Sequence, residues 1–301
     1  MGGLNRLRLR EGLRWGAGMV LLHLVCTGFL YGLAAQQTAN PPAGSEAAQH
    51  LVQQVIDNEL AAARNDHSHW MSRVAYKSPS KNIVKIVVQT QHGTLSRLLE
   101  SNGHPLTAQE RSQDDAKRQK LVDDPEERAK QRKDSAHDDQ QSEALTKILP
   151  HAFLWKQAAS SNGEITLHFQ PNPAFQPPTY ASRVFAAMAG EMVVDARQKR
   201  LKVLSGTLIQ PVEFGWGLLG RLQKGGTFHV VRSEIGPGIW QITQTHVHIQ
   251  GRILIFKSIG QQEDEVSSNY KPTPAGLTLE QASKMLTDGE VARLIGIQNT
   301  P

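Results

Sequence analysis

Two histidine pairs and one glycine-rich segment are the places where residue type and spacing could do chemistry in this 301-residue chain. His67 and His69 are two apart, and so are His246 and His248. Alternate residues of a strand share a face, so either pair could present two imidazoles to one zinc ion. A third ligand, such as Asp66 or Glu263, would have to come from elsewhere. The sequence has no His-Glu-x-x-His run and no cysteine cluster. A polar strand face explains the pairs with fewer assumptions, so no metal site is assigned. The segment from Phe214 to Gly226 contains Gly215-x-Gly217-x-x-Gly220, the spacing of a dinucleotide fingerprint. That fingerprint needs a strand-to-helix turn in a βαβ unit and an acidic residue about 20 positions on, where Trp240 stands. Its physical content is a set of large apolar groups, Phe214, Trp216, Leu218 and Leu219, on a glycine-punctuated loop beside Arg221 and Lys224. Such a loop can rim an apolar cavity, touch a membrane surface, or fold back into a core. There is no Gly-x-Ser-x-Gly elbow, and the carboxylates gather in a charged stretch where burial is not expected to tune them. The expectation is a non-enzyme with no catalytic residues and no cofactor.

The elements that would position these residues follow an N-terminal targeting segment. Arg6, Arg8, Arg10 and Arg14 precede a charge-free apolar run from Trp15 to Ala35. This pattern predicts a signal peptide or membrane anchor over residues 1–35, with cleavage near Ala34 or Ala35. The rest of the chain is then periplasmic or in the cell envelope. The single cysteine, Cys26, falls inside the apolar run, and bulky Val25 before it argues against lipidation. An exported part without disulfides must rely on its own core. The formal charge of +5 falls to about +2 once the basic segment is removed, so nucleic acid is not an expected partner.

Residues 36–44 read as a Pro/Ala linker, and residues 45–301 as one domain. A helix is expected from Ser45, with Leu51, Val52, Val55, Ile56 and Leu60 on one stripe. Strands are expected over 70–77, 82–92, 94–100, 164–170, 191–195, 200–210, 227–233, 240–250 and 252–259, with Gln250-Gly251 as a turn. Thr107 and Glu110 form a capping box that opens a charged helical insertion over about 107–149, divided by Pro125 and stopped by Pro150. Most of its surface should face water, although it could also dock a partner. Thr278 and Gln281 form a second capping box, starting a C-terminal helix over about 278–288. The fold class is α+β, mainly antiparallel β, as a strongly curved half-barrel sheet covered by helices.

The run Phe169-Gln170-Pro171-Asn172-Pro173, then Pro177-Pro178, Gly190 to Asp195, Arg200-Leu201 and Leu204 to Leu208 resembles the strand-turn-strand rhythm of LolA/LolB-like lipoprotein carriers and RseB-like envelope sensors. The early helix followed by Val87-Val88 and Thr90 to Leu95 is similar in layout. The resemblance implies a half-open barrel with a cavity for acyl chains. The expected function is periplasmic binding of a lipid, a lipidated protein or another apolar ligand, with Phe185, Met188, Phe214, Trp216, Leu218 and Leu219 lining the site. The alternative is an envelope protein-interaction or sensor module that uses the charged helices.

Overall fold

The computed structural model describes residues 45–214, 220–253 and 257–296, with side chains left undescribed at 252–253 and 257–261. The chain begins with helix α1 (Glu46–Asn65), and Ser45 caps it by accepting from the Ala48 N–H at 3.3 Å. A meander follows: β1 (Trp70–Ser78), β2 (Lys81–Thr90), β3 (Gly93–Ser101) and the two-residue β4 (His104–Pro105). Helices α2 (Ala108–Asp123) and α3 (Pro125–Ala152) come next. The expected capping box is present at Thr107 and Glu110, and Asp124 with Pro125 restarts the helix as α3. Pro150 does not stop α3, which continues to Ala152. Then come β5 (Phe153–Ser161), β6 (Glu164–Pro171), α4 (Tyr180–Phe185), β7 (Met188–Asp195), β8 (Arg200–Leu208), β9 (Val212–Phe214), β10 (Gly220–Leu222), β11 (Thr227–Gly236), β12 (Ile239–Ile253) and β13 (Lys257–Pro272). Helices α5 (Leu279–Thr287) and α6 (Glu290–Leu294) close the described chain, α5 with its capping box at Thr278 and Gln281.

All 13 strands among the described residues belong to one open antiparallel sheet, ordered β4-β3-β2-β1-β13-β12-β11-β8-β7-β6-β5, with the β9-β10 hairpin attached to β12. The fold is therefore α+β, as expected. The sequence reading lacks the short strands β4, β9 and β10 and two long ones, β5 and β13. Most of β5 is exposed and polar, with no alternation to reveal it. The charged run in β13 reads as loop yet lies between β1 and β12. Gln250-Gly251 is not a turn either. Gly251 lies inside β12, opposite Leu222 and Ile259, and a Cβ there would stand 2.7 Å from the Arg221 carbonyl oxygen. The glycine serves close strand approach rather than reversal.

Directly paired residues point to the same face of a sheet, so the register assigns the core. One row runs Leu167, Met192, Leu204, Val230, Thr245, Glu265, Tyr76, Ile83 and defines the front face. A neighbouring row, on the back face, runs His168, Glu191, Ser205, His229, His246, Asp264, Lys77. The larger hydrophobic core lies on the front of β5–β8 and β12, under α1, α4 and the end of α3. The smaller core, with Met71, Ile86, Val88 and Leu95, lies on the back of β1–β3, under α2, α5 and α6. One sheet thus carries two cores on opposite faces, and α3 reaches both ends of it.

Candidate functional site

The front face of β5–β8 is an apolar floor. Trp155, Leu167 and Met192 are fully buried on it, and burying a large apolar side chain contributes roughly 1.5–3 kcal/mol. Phe153 stands at the centre of an aromatic cluster, 4.5 Å from Phe169, 5.2 Å from Phe185 and 5.8 Å from Trp155. Gly190 and Gly206 face each other between Phe169 and Phe228. A Cβ on Gly206 would stand 2.6 Å from the Phe228 ring, so only glycine leaves room for the two aromatic rings.

The sequence-predicted lining residues fall in three places. Phe185, at 3 % exposure, ends α4 and packs between Phe153 and Phe228. Met188, at 2 %, opens β7 opposite Leu208. Phe214, at 9 %, ends β9 and meets Tyr180 edge-on at 5.4 Å, while the Arg183 guanidinium lies over the Tyr180 ring, 5.3 Å from its centroid. All three belong to the front core. Trp216, Leu218 and Leu219 lie outside the described residues.

A buried charge network pins α1 to this face. Glu59 occupies the next position of the stripe that carries Val52, Val55 and Ile56, so the helix turns its carboxylate inward. Arg200 grips it with two hydrogen bonds, Nε to Oε1 at 2.8 Å and Nη2 to Oε2 at 3.1 Å. Arg232 adds a third contact at 3.1 Å, and the Leu201 N–H donates to Oε1 at 2.9 Å. Arg200 also lies over the Trp240 ring at 5.9 Å. Burial pulls the Arg232 pKa down and Glu59 pushes it back up. A guanidinium starts high enough to stay charged through both effects. Two cations thus share one carboxylate, and the Nε of Arg232 is buried with no partner among the described residues. Sequence reading missed this network, although a glutamate on an apolar stripe was its visible signal.

The floor ends on β13 in a second polar group. Glu263 and Glu265 are two apart and share the front face with Tyr76 and Tyr270. Burial raises the Glu265 pKa, against a smaller opposing pull from Lys85, and Glu263 adds to the rise. Burial likewise pushes the Tyr270 hydroxyl up to about 12, and that hydroxyl donates to the Ile242 carbonyl at 3.1 Å.

The histidine pairs part ways. His67 and His69 lie in the α1–β1 connection rather than on a strand, so strand spacing does not align them. His246 and His248 do share the back face of β12. His246 Nδ1 lies 2.8 Å from Asp264 Oδ1, His246 stacks on His229 at 6.1 Å, and His248 meets Gln250. Among the described residues no three His, Cys, Asp or Glu side chains are placed to hold a metal ion. In the glycine-rich segment, Gly220 opens a strand, where a dinucleotide site would need a helix. No helix among the described residues is long and apolar enough to cross a membrane. No protein-family profile matches the chain, and no curated protein matches it.

Proposed function

We propose that this chain is an exported, non-catalytic binding protein for a lipid, an acyl chain or a lipidated protein. Its sheet would curve as the half-barrel of LolA/LolB-like carriers and RseB-like sensors. One observation carries the reading. The apolar front floor of β5–β8 and β12 is covered by α1, the end of α3, α4 and the β9-β10 hairpin rather than by a second sheet, and α4 and the hairpin are short pieces. Such pieces can part without breaking the ladder that holds the floor. An acyl chain would then replace the contacts of Phe185 and Phe214, with affinity following apolar area at ~25 cal/mol per Å². Trp216, Leu218 and Leu219 adjoin β9 and β10 in sequence, and such large apolar groups would meet a membrane surface or the ligand.

Native mass spectrometry of the exported form, purified from membranes, tests this. The expected result is a lipid-sized adduct that is lost when Trp216→Ser and Leu218→Ser are combined. A clean apo mass that gains nothing from added phospholipid or lipopeptide would overturn it.

A second reading, an envelope interaction module, draws on α2 and α3. Their exposed faces mix both charge signs, and Lys120 with Glu127 and Lys147 with Glu143 pair along them. Its test is charge reversal on the exposed face, scored by capture of an envelope protein with lipid binding intact.

A further inference from the structure

Among the described residues, no helix covers the back face of the central strands in the register where the front core lies. There, β6, β7, β8 and β11 form an open depression of about 580 Å³. Small-molecule sites commonly fall in this size range. Its floor is Ala189 with the backbone at Gly190 and Gly206. Two adjacent back-face rows wall it, His168, Glu191 and Ser205 on one side and Gln170, Thr207 and Thr227 on the other. None of these six side chains makes a hydrogen bond or ion pair to another described residue. Their donors and acceptors are therefore available to a ligand.

The chemistry of the lining narrows the ligand. No lysine or arginine lines the depression, so it lacks the cations that phosphate or sulfate recognition uses. All four strands are interior to the sheet, so no free backbone edge is offered to an extended peptide. Phe169 and Phe228 also border it, but the register turns their side chains to the front face, and no large aliphatic side chain is in the lining, which argues against an acyl chain. What remains is one imidazole, one amide, one carboxylate and three hydroxyls, a mixture that both donates and accepts. Sugar hydroxyls do the same.

We infer that this depression is a binding site for a neutral or amino-sugar oligosaccharide, on the opposite face from the proposed apolar site. Glu191 and Gln170 would accept and donate across one ring, and Thr207 and Thr227 would bond the next. The small floor at Ala189 lets a flat ring lie close to the sheet.

The test is saturation-transfer NMR on the full exported chain with maltotriose, cellotriose and tri-N-acetylchitotriose as probes. At least one should receive saturation. Thr207→Val and Glu191→Gln should each weaken that probe about tenfold, the loss expected for one hydrogen bond to a buried or charged group. Ala189→Phe, which fills the floor from the solvent side, should abolish it while thermal unfolding and the lipid adduct stay unchanged. Gln244→Ala, elsewhere on the same face, should change nothing. No transfer to any probe, or transfer that survives Ala189→Phe, would overturn the inference.

Discussion

At the scale of single residues, Glu59 and Glu265 show how one face treats two carboxylates in opposite ways. Glu59 is 4 % exposed at its side chain and is held by Arg200, Arg232 and the Leu201 N–H. Removing one partner of a buried pair leaves the others uncompensated, which typically costs 3–5 kcal/mol. Glu59→Gln should therefore destabilise the fold by about 3 kcal/mol in urea unfolding. A loss near zero would mean that water already screens the cluster. Burial outweighs the pull of Lys85 on Glu265, and Glu263 adds to it, so the Glu265 pKa lies above its ordinary value. The folded chain thus resists ionising it more than the unfolded chain does. Below the ordinary carboxylate range both states are protonated, and no penalty applies. As pH rises through the raised pKa, the folded state loses stability relative to the unfolded one. Glu265→Gln should raise the melting temperature at about pH 7, with the gain shrinking toward about pH 4. Melts across that range check the sign, and an equal gain at both ends would contradict it.

At the scale of elements, helix side chains finish one end of the sheet. Strand β3 is covered by β4 only at Glu100 and Ser101, and beyond them helix side chains take its backbone groups at Thr94 and Leu98. Gln131 of α3 accepts from the Thr94 N–H at 3.2 Å and donates to the Thr94 carbonyl at 3.1 Å. Asp114 of α2 accepts from the Leu98 N–H at 3.1 Å. An uncovered edge is a template for another chain, and these two residues occupy it. Asp114→Ala combined with Gln131→Ala should cost about 1 kcal/mol per lost bond and promote self-association. Sedimentation velocity over a concentration series would show it, and a monomer at every concentration would refute the edge role. The charged helices are therefore also part of the domain's framework. Val122 of α2 enters the back core, and Leu149 and Ala152 of α3 enter the front core. Deleting residues 107–147 would test the fold rather than a partner site. Much of this was legible beforehand. Ser45, Thr107 and Thr278 mark helix starts because capping is a contact within one turn. Strand β13 was not legible, because its Glu263 and Glu265 are accepted by neighbours far away in the chain.

At the scale of the whole molecule, two cores on opposite faces invite the question of whether they unfold separately. Strands β1, β13, β12, β11 and β8 form one unbroken ladder between them, and α3 contacts both ends. The expectation is a single cooperative transition. Fluorescence of Trp155 in the front core, isolated by Trp70→Phe, Trp216→Phe and Trp240→Phe, should coincide with far-ultraviolet circular dichroism across urea unfolding. Two separated transitions would show the back core to be an independent unit. The sequence by itself determined the antiparallel class, most of the longer strands and the starts of α1, α2 and α5. These depend on alternation, turn residues and caps, all of which act over a few neighbours. Only the tertiary structure decided which face each strand turns to which core. It also placed Arg200 on Glu59, 141 residues away, and put the charged run of β13 between β1 and β12. The physical reason is that a strand's own period of two leaves its two faces equivalent. Register and bulges break that equivalence, and they are set by partners that local spacing does not reveal.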